Sequence, residues 1–67
     1  MGRAYKTIKV VHLPYFGLLG WVRQNVETGN YFFTNRQSYI ICRGTYEAVI
    51  EQLQKDFPQV RLEDPQR

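Results

Sequence analysis

The sequence predicts a small α+β domain, in which an antiparallel four-stranded β-meander is followed by one C-terminal helix packed on one face of the sheet. Two observations lead to this fold class. Residues 21–43 contain three stretches rich in β-branched and aromatic residues, separated by turn signals at Gly29 and Asn35. Residues 45–57 instead repeat large apolar side chains at helical spacing. A sheet followed by a helix is therefore expected.

The first strand is predicted over residues 5–13, at the edge of the sheet, because β-branched residues are frequent there. Its apolar residues change phase near the end, which indicates a β-bulge or burial on both sides. Pro14 ends the strand, and an unusually apolar connection follows. We expect this connection either to fold over one end of the core or to contact a partner. Its large side chains are Tyr15, Phe16, Leu18 and Leu19.

Turn geometry sets the register of the meander. A tight hairpin with Gly29 at positive φ pairs Val26 with Tyr31. A second tight turn pairs Phe33 with Ser38. Because side chains alternate along strands, this register defines two faces. The uncharged face is the predicted core: Val22, Val26, Tyr31, Phe33, Ile40 and Cys42. The other face combines aromatic residues with two arginines and no acid: Trp21, Arg23, Asn25, Phe32, Thr34, Tyr39, Ile41 and Arg43.

The predicted helix begins after Thr45, a favourable N-cap residue, and runs to about Asp56, before Pro58. Its apolar stripe is expected to pack on the sheet and consists of Tyr46, Val49, Ile50, Leu53 and Phe57. Residues 59–63 alternate between polar and apolar side chains, which is typical of a short strand. If this strand joins the sheet, the element order is β-β-β-β-α-β.

Length and composition favour one small domain over residues 1–67, with flexible termini at 1–4 and 64–67. A chain this short is only marginally stable alone. Its one cysteine excludes an internal disulfide. No apolar run approaches the roughly 20 residues of a membrane span, and the charged start lacks the apolar stretch of a signal peptide. We therefore expect a cytoplasmic protein without a membrane partner.

No motif indicates catalysis, a metal site or a cofactor. His12 and Cys42 are the single histidine and cysteine, and the predicted register places Cys42 in the core. The acids are concentrated on the outer side of the helix and near the C-terminus, which is typical of a solvated surface. We therefore expect no enzymatic activity, no metal, no cofactor and no small-molecule substrate.

A single helix covers one side of a sheet, so the face with the arginines needs another partner. Tryptophan, tyrosine and arginine are enriched in protein interfaces, whereas lysine and acids are depleted there. This composition predicts a small protein-binding module, such as an accessory subunit, an adaptor or an inhibitor. Its partner is another protein or a second copy of the chain. The predicted contact residues are Trp21, Arg23, Phe32, Tyr39, Ile41 and Arg43.

Binding of single-stranded nucleic acid is the alternative hypothesis. Aromatic side chains on an open sheet can stack bases, and Trp21, Phe32 and Tyr39 would form that platform. Residues 1–43 hold six basic residues and one acid, which favours a polyanion on this half. Additional phosphate contacts are expected from Lys6, Lys9 and Arg36. The RNA-recognition consensus is absent and the basic residues are few, so a protein partner is the preferred interpretation.

Overall fold

The structure, a computed structural model, describes residues 4–65 and confirms the predicted α+β fold. In chain order the elements are β1 (Tyr5–Leu13), β2 (Gly17–Asn25), β3 (Tyr31–Asn35), β4 (Ile40–Gly44), α1 (Tyr46–Asp56) and β5 (Arg61–Glu63). The strands form one antiparallel sheet in the order β4-β3-β2-β1-β5. The fifth strand and the order β-β-β-β-α-β are therefore confirmed. Because β5 pairs with the outer side of β1, β1 is an interior strand and not the predicted edge strand.

The core lies between α1 and one face of the sheet. Val11, Val22 and Phe33 come from three neighbouring strands and meet Val49 and Leu53 of α1, and each is at most 2% exposed. Partly buried side chains surround this centre: Leu19, Tyr31, Cys42, Tyr46, Ile50, Phe57, Val60 and Leu62. The predicted apolar stripe of the helix and the predicted inward position of Cys42 are thus confirmed.

The helix begins where its capping residue predicted. The hydroxyl of Thr45 accepts a hydrogen bond from the backbone amide of Ala48 at 3.1 Å, which satisfies one of the unpaired amides of the first turn. Glu47 lies in that first turn and Lys55 in the last, so both charges complement the helix dipole. The helix therefore starts and ends with favourable local chemistry, although its stability depends on packing against the sheet.

The turn between β2 and β3 is longer than predicted, and the predicted pairing of Val26 with Tyr31 is wrong. Tyr31 pairs with Gln24 instead. The side-chain oxygen of Asn25 accepts hydrogen bonds from the backbone amides of Glu27 at 2.9 Å and Thr28 at 3.2 Å, which ends β2 at Asn25. Val26 consequently lies outside the strand and is 55% exposed, not in the core. The register moves by two residues, so Tyr31 keeps its predicted face.

The turn between β3 and β4 is lengthened in the same way. The side-chain oxygen of Asn35 accepts hydrogen bonds from the backbone amides of Gln37 at 2.9 Å and Tyr39 at 3.0 Å. Phe33 consequently pairs with Cys42 and not with Ser38. The predicted register of this hairpin is therefore wrong, although Phe33 and Cys42 do share the core face.

A β-bulge at Ile41 changes the face of one predicted core residue. Thr34 pairs with Ile40, whereas the preceding residue of β3 pairs with Cys42, which leaves Ile41 as the extra residue. The bulge interrupts the alternation of side chains along β4. Ile40 therefore leaves the predicted core face and is 50% exposed.

The connection between β1 and β2 is a tight turn and not a long loop. The amide of Phe16 donates a hydrogen bond to the carbonyl of Leu13 at 3.2 Å, which closes a turn around Pro14 and Tyr15. Tyr15 has a φ of 68°, as the third residue of a type II turn requires, and Pro14 precedes it in the position that proline favours. β2 then begins at Gly17, so most of the predicted loop is strand.

Both ends of the described chain make contacts with the sheet. The carbonyl of Ala4 accepts a hydrogen bond from the amide of Val26 at 2.7 Å. Near the other end, Lys9 Nζ lies 2.6 Å from Asp64 Oδ1. This hydrogen bond and the attraction between the two charges lower the pKa of Asp64 and raise the pKa of Lys9. The remaining residues of the predicted flexible termini, 1–3 and 66–67, lie outside the described residues.

Gly20 occupies a point in β2 where the backbone of β3 leaves no room for a side chain. A Cβ atom at Gly20 would overlap the carbonyl oxygen of Thr34 and come within 3.0 Å of Asn35 Cα. Most of this obstacle is backbone, which can move only if the pairing of β2 with β3 is disturbed. The close approach thus explains why glycine stands in the interior of a strand.

We predict that Gly20→Ala lowers the free energy of unfolding by about 3 kcal/mol, because the added methyl group forces the two strands apart. Urea denaturation measures the loss. Gly29→Ala is the matched control, since its Cβ would meet no atom within 4 Å and only its φ of 82° is unfavourable. The control should lose about 1 kcal/mol. Equal losses in both variants would contradict the proposed close approach at Gly20.

Candidate interaction surface

The face of the sheet opposite α1 carries no packed helix or strand within residues 4–65. We call it the open face. The register of the strands assigns its side chains, which come from all five strands: Tyr5, Thr7, Val10, His12, Leu18, Trp21, Arg23, Asn25, Phe32, Thr34, Ile40, Arg43, Arg61 and Glu63. This set mixes aromatic, aliphatic and charged side chains, which is unusual for a surface that only faces water.

Four of the six predicted interaction residues come together on the open face. Arg23, Phe32 and Arg43 form one row across β2, β3 and β4. Trp21 lies beside this row, and the Cζ atom of Arg23 is 5.1 Å from the centroid of its ring, within the range of a cation–π contact. Arg23 Nε is buried in this arrangement without a hydrogen-bond partner. The centre of the open face is therefore an arginine stacked on a tryptophan.

The other two predicted residues lie at the margin of this face, where the long turn and the bulge place them. Tyr39 precedes β4 and is 67% exposed, and Ile41 is the bulged residue and is 54% exposed. Their predicted positions in a regular strand are therefore wrong. Together with Ile40 they form three consecutive exposed apolar residues at the edge of the sheet, which we call the β4 ridge. The sequence signal that could have assigned Ile40 to this surface is the run of consecutive apolar residues that follows the turn.

The turn that precedes the β4 ridge lies close to the open face. Ser38, in the turn that precedes the ridge, lines the same hollow as Tyr5, Thr7 and Arg23 on β1 and β2. The β3–β4 turn must therefore reach over the open face. This arrangement also accounts for Thr34, which lies on the open face and yet is only 2% exposed.

A groove of about 580 Å³ lies at the opposite margin of the open face. β1, β2 and β5 form it, and its lining residues are Thr7, Val10, His12, Leu18, Trp21, Glu63, Asp64 and Pro65. His12 Nε2 lies 3.5 Å from Glu63 Oε1, a contact that becomes an ion pair when the imidazole is protonated. Sequence patterns did not reveal this groove, because its outer wall comes from β5, which is distant from β1 along the chain.

The four apolar residues predicted as loop contacts are divided among different places. Tyr15 and Phe16 are exposed at the tip of the β1–β2 turn. Leu18 lines the groove, whereas Leu19 packs against the core. The predicted single apolar loop is therefore wrong, because β2 starts at Gly17 and directs the two leucines to different surroundings.

The basic residues predicted to contact nucleic acid do not form one patch. Lys9 is paired with Asp64. Arg36 lies at the end of the sheet, with its Cζ atom 5.6 Å from the centroid of the Phe16 ring. Lys6 lines the hollow that Ser38 closes. The positive charges are consequently dispersed over several parts of the surface.

Reactive chemistry is not concentrated on the open face. Cys42 lies on the other side of the sheet, half-buried, and burial raises the pKa of its thiol, with a further rise from the negative charge of Asp56. Within residues 4–65 no three histidine, cysteine or acidic side chains come close enough to hold a metal ion. In the same part of the chain, no helix has the length and apolar character needed to cross a membrane.

The hydroxyl of Thr34 is buried without a hydrogen-bond partner. We predict that Thr34→Val raises the free energy of unfolding by up to about 1 kcal/mol, because an unsatisfied polar group is replaced by an apolar group of the same shape. The contrasting variant is Thr45→Ala, whose lost capping bond should lower stability by about 1 kcal/mol. Thermal unfolding followed by circular dichroism compares the two. A destabilised Thr34→Val protein would mean that the hydroxyl is in fact bonded.

The open face thus has three parts: the β4 ridge at one margin, the stacked pair of Arg23 and Trp21 at the centre, and the groove at the other margin. Comparisons with protein-family models, with curated proteins and with solved structures find no match to this chain.

Proposed function

We propose that the protein is a small, non-enzymatic protein-binding module that contacts another polypeptide through the open face. In this role it would act as an accessory subunit, an adaptor or an inhibitor. We also propose a cytoplasmic location, which fits a chain whose single cysteine remains unpaired. The observation that carries the proposal is the position of Arg23 and Arg43, which have no acidic partner within residues 4–65, among apolar side chains on the face that α1 does not cover.

Charge on the open face favours a partner that carries carboxylates. The ion pairs within residues 4–65 are Lys9–Asp64 and His12–Glu63, and neither involves Arg23 or Arg43. Arginines that are surrounded by aromatic and aliphatic groups are common at the centres of protein interfaces. An acidic group of a partner would complete the hydrogen bonding of these guanidinium groups.

Base stacking has less support as the function of this face. The ring of Trp21 already has the guanidinium of Arg23 over it, and the ring of Phe32 lies 5.5 Å from the ring of Tyr5 in a tilted pair. A stacked base needs a free aromatic surface, so these contacts would have to be broken first. The dispersed positive charges also weaken the attraction for a phosphate backbone.

Photochemical crosslinking in the organism that encodes the protein tests the proposed function. A benzophenone-bearing phenylalanine analogue is placed at Ile40 on the β4 ridge, and in a control protein at Glu51 on the exposed side of α1. We expect a polypeptide adduct from the first position and none from the second, because only the open face should be covered by a partner. Mass spectrometry identifies the adduct. Equal labelling at both positions, or none at Ile40, would refute a specific protein contact at this face.

A titration with a mixed-sequence single-stranded oligonucleotide separates the two functions. At low salt we expect the fluorescence of Trp21 to remain unchanged, because Arg23 occupies its ring. Saturable quenching that disappears as salt is added would instead support stacking and phosphate contacts. Arg23→Gln is the accompanying variant, since it uncovers the indole. Quenching in this variant alone would show that the arginine blocks stacking in the natural sequence.

A further inference from the structure

We propose that the hollow closed by Ser38 binds a phosphate group with two negative charges, either free hydrogen phosphate or the phosphorylated side chain of a polypeptide. The hollow has a volume of about 390 Å³ and lies where the β3–β4 turn comes close to β1 and β2. Its lining residues are Tyr5, Lys6, Thr7, Arg23 and Ser38. This site goes beyond the proposed function, because it names a ligand that the chain can bind without a protein partner.

The side chains that line the hollow are all hydrogen-bond donors. Arg23 and Lys6 are cationic, and the other three carry hydroxyl groups, which donate hydrogen bonds as well as accept them. No acid of residues 4–65 lines the hollow, whereas Glu63 and Asp64 line the separate groove at the margin of the open face. Donors that include two cations and face no carboxylate form a site for an anion.

Arg23 is held in place by contacts within the protein. Its Cζ atom lies 5.1 Å from the centroid of the Trp21 ring, and its Nε atom is buried without a protein acceptor. Buried donors are normally hydrogen-bonded, so this guanidinium group lacks an acceptor that the described residues do not supply. Because Nε is enclosed, an anion in the hollow has the two terminal nitrogens to bind, and their spacing matches that of two phosphate oxygens.

The β3–β4 turn fixes Ser38 at the same hollow. The side-chain oxygen of Asn35 accepts hydrogen bonds from the amides of Gln37 at 2.9 Å and Tyr39 at 3.0 Å. The amide of Ser38 donates to the carbonyl of Asn35 at 3.0 Å. These bonds hold Ser38 at a φ of 69°, which is unfavourable for a residue with a side chain. Within residues 4–65 the hydroxyls of Ser38 and Thr7 have no protein partner.

The charges at the hollow select a doubly charged phosphate group among the possible anions. Arg23 and Lys6 supply two positive charges, and Lys6 lies on the part of β1 that β5 leaves unpaired. A phosphorylated side chain carries about 1.5 to 2 negative charges at pH 7 and three acceptor oxygens. A carboxylate has one charge and two oxygens, and the phosphodiester of a nucleic acid has one charge. Both therefore complement the hollow less completely.

An NMR titration of the full ¹⁵N-labelled chain tests the site. The probes are sodium phosphate and a glycine peptide that carries one phosphoserine, at about pH 7.5 and with the ionic strength held constant by sodium chloride. The Nε–H signal of Arg23 and the amide signals of Thr7 and Ser38 should shift and saturate, with a dissociation constant of about 1 mM or lower. Dimethyl phosphate, which has one charge, should bind at least about fivefold more weakly.

Two substitutions of Ser38 form a matched pair. Aspartate and asparagine tolerate positive φ better than most residues, so Ser38→Asp and Ser38→Asn should both keep the turn. The added carboxylate of Ser38→Asp lies beside Arg23 and competes with the ligand, so the dissociation constant for phosphate should rise at least about tenfold. The neutral Ser38→Asn should remain within about threefold of the natural protein.

Arg23→Gln removes the central cation and should also raise the dissociation constant at least about tenfold. Arg36→Gln is its control, because it removes the same charge at the end of the sheet, where Arg36 lies against the ring of Phe16. This control should bind phosphate like the natural protein. Circular dichroism verifies that each variant is folded, and the two Ser38 variants keep the test decisive if Arg23→Gln is not.

The outcomes separate the site, its ligand and the proposed function. Tighter binding of the phosphopeptide than of free phosphate supports a phosphorylated side chain as the ligand, and equal or weaker binding supports the free ion. A lack of saturation at about 20 mM phosphate would overturn the site. Equal binding of dimethyl phosphate, or equal losses in Arg36→Gln and Arg23→Gln, would overturn it too. The crosslink at Ile40 requires no phosphate, so either proposal can fail without the other.

Discussion

One helix of 11 residues cannot cover both faces of a five-stranded sheet, and this limit determines how the molecule is built. α1 covers one face and completes a core of five nearly inaccessible side chains. Small domains bury a smaller fraction of their surface than large ones, so little apolar area is left to stabilise the other face. That face contains half-buried aromatic side chains held by contacts with their own neighbours, such as Arg23 on Trp21 and Tyr5 beside Phe32.

Local chemistry was sufficient to predict the kinds and the order of the elements, but not the start of β2 or the pairing of the strands. The hydroxyl of Thr45 predicted the start of α1, and the apolar stripe predicted its buried side. Pairing depended on Asn25 and Asn35, whose side chains lengthen two turns through hydrogen bonds to nearby amides. Asparagine favours turns of several types, so its presence indicates a turn without fixing the length. The error in the β2–β3 hairpin shifted the pairing of the two strands by two residues, so their side chains kept the predicted faces.

The candidate site was predictable only where it lies within one hairpin. Arg23, Phe32 and Arg43 share a row because β2, β3 and β4 are consecutive, and alternation alone placed them together. Ile40 was assigned to the wrong face because the bulge at Ile41 inserts one residue between Ile40 and Cys42, so these two side chains no longer share a face. The groove requires β5 to lie beside β1, a long-range pairing that no local pattern specifies.

The outer wall of the groove is β5, the shortest strand of the sheet. β5 has three residues, and its pairing with β1 joins positions about 50 residues apart, so its attachment carries a large loop-closure cost and is expected late in folding. Its detachment would remove Glu63 from the groove and Leu62 from the rim of the core, whereas the five central core residues all belong to other elements. Local opening of this strand is therefore less costly than global unfolding. Occupation of the groove would slow hydrogen exchange in β5 before that in the other strands, which couples recognition to the order of the C-terminal segment.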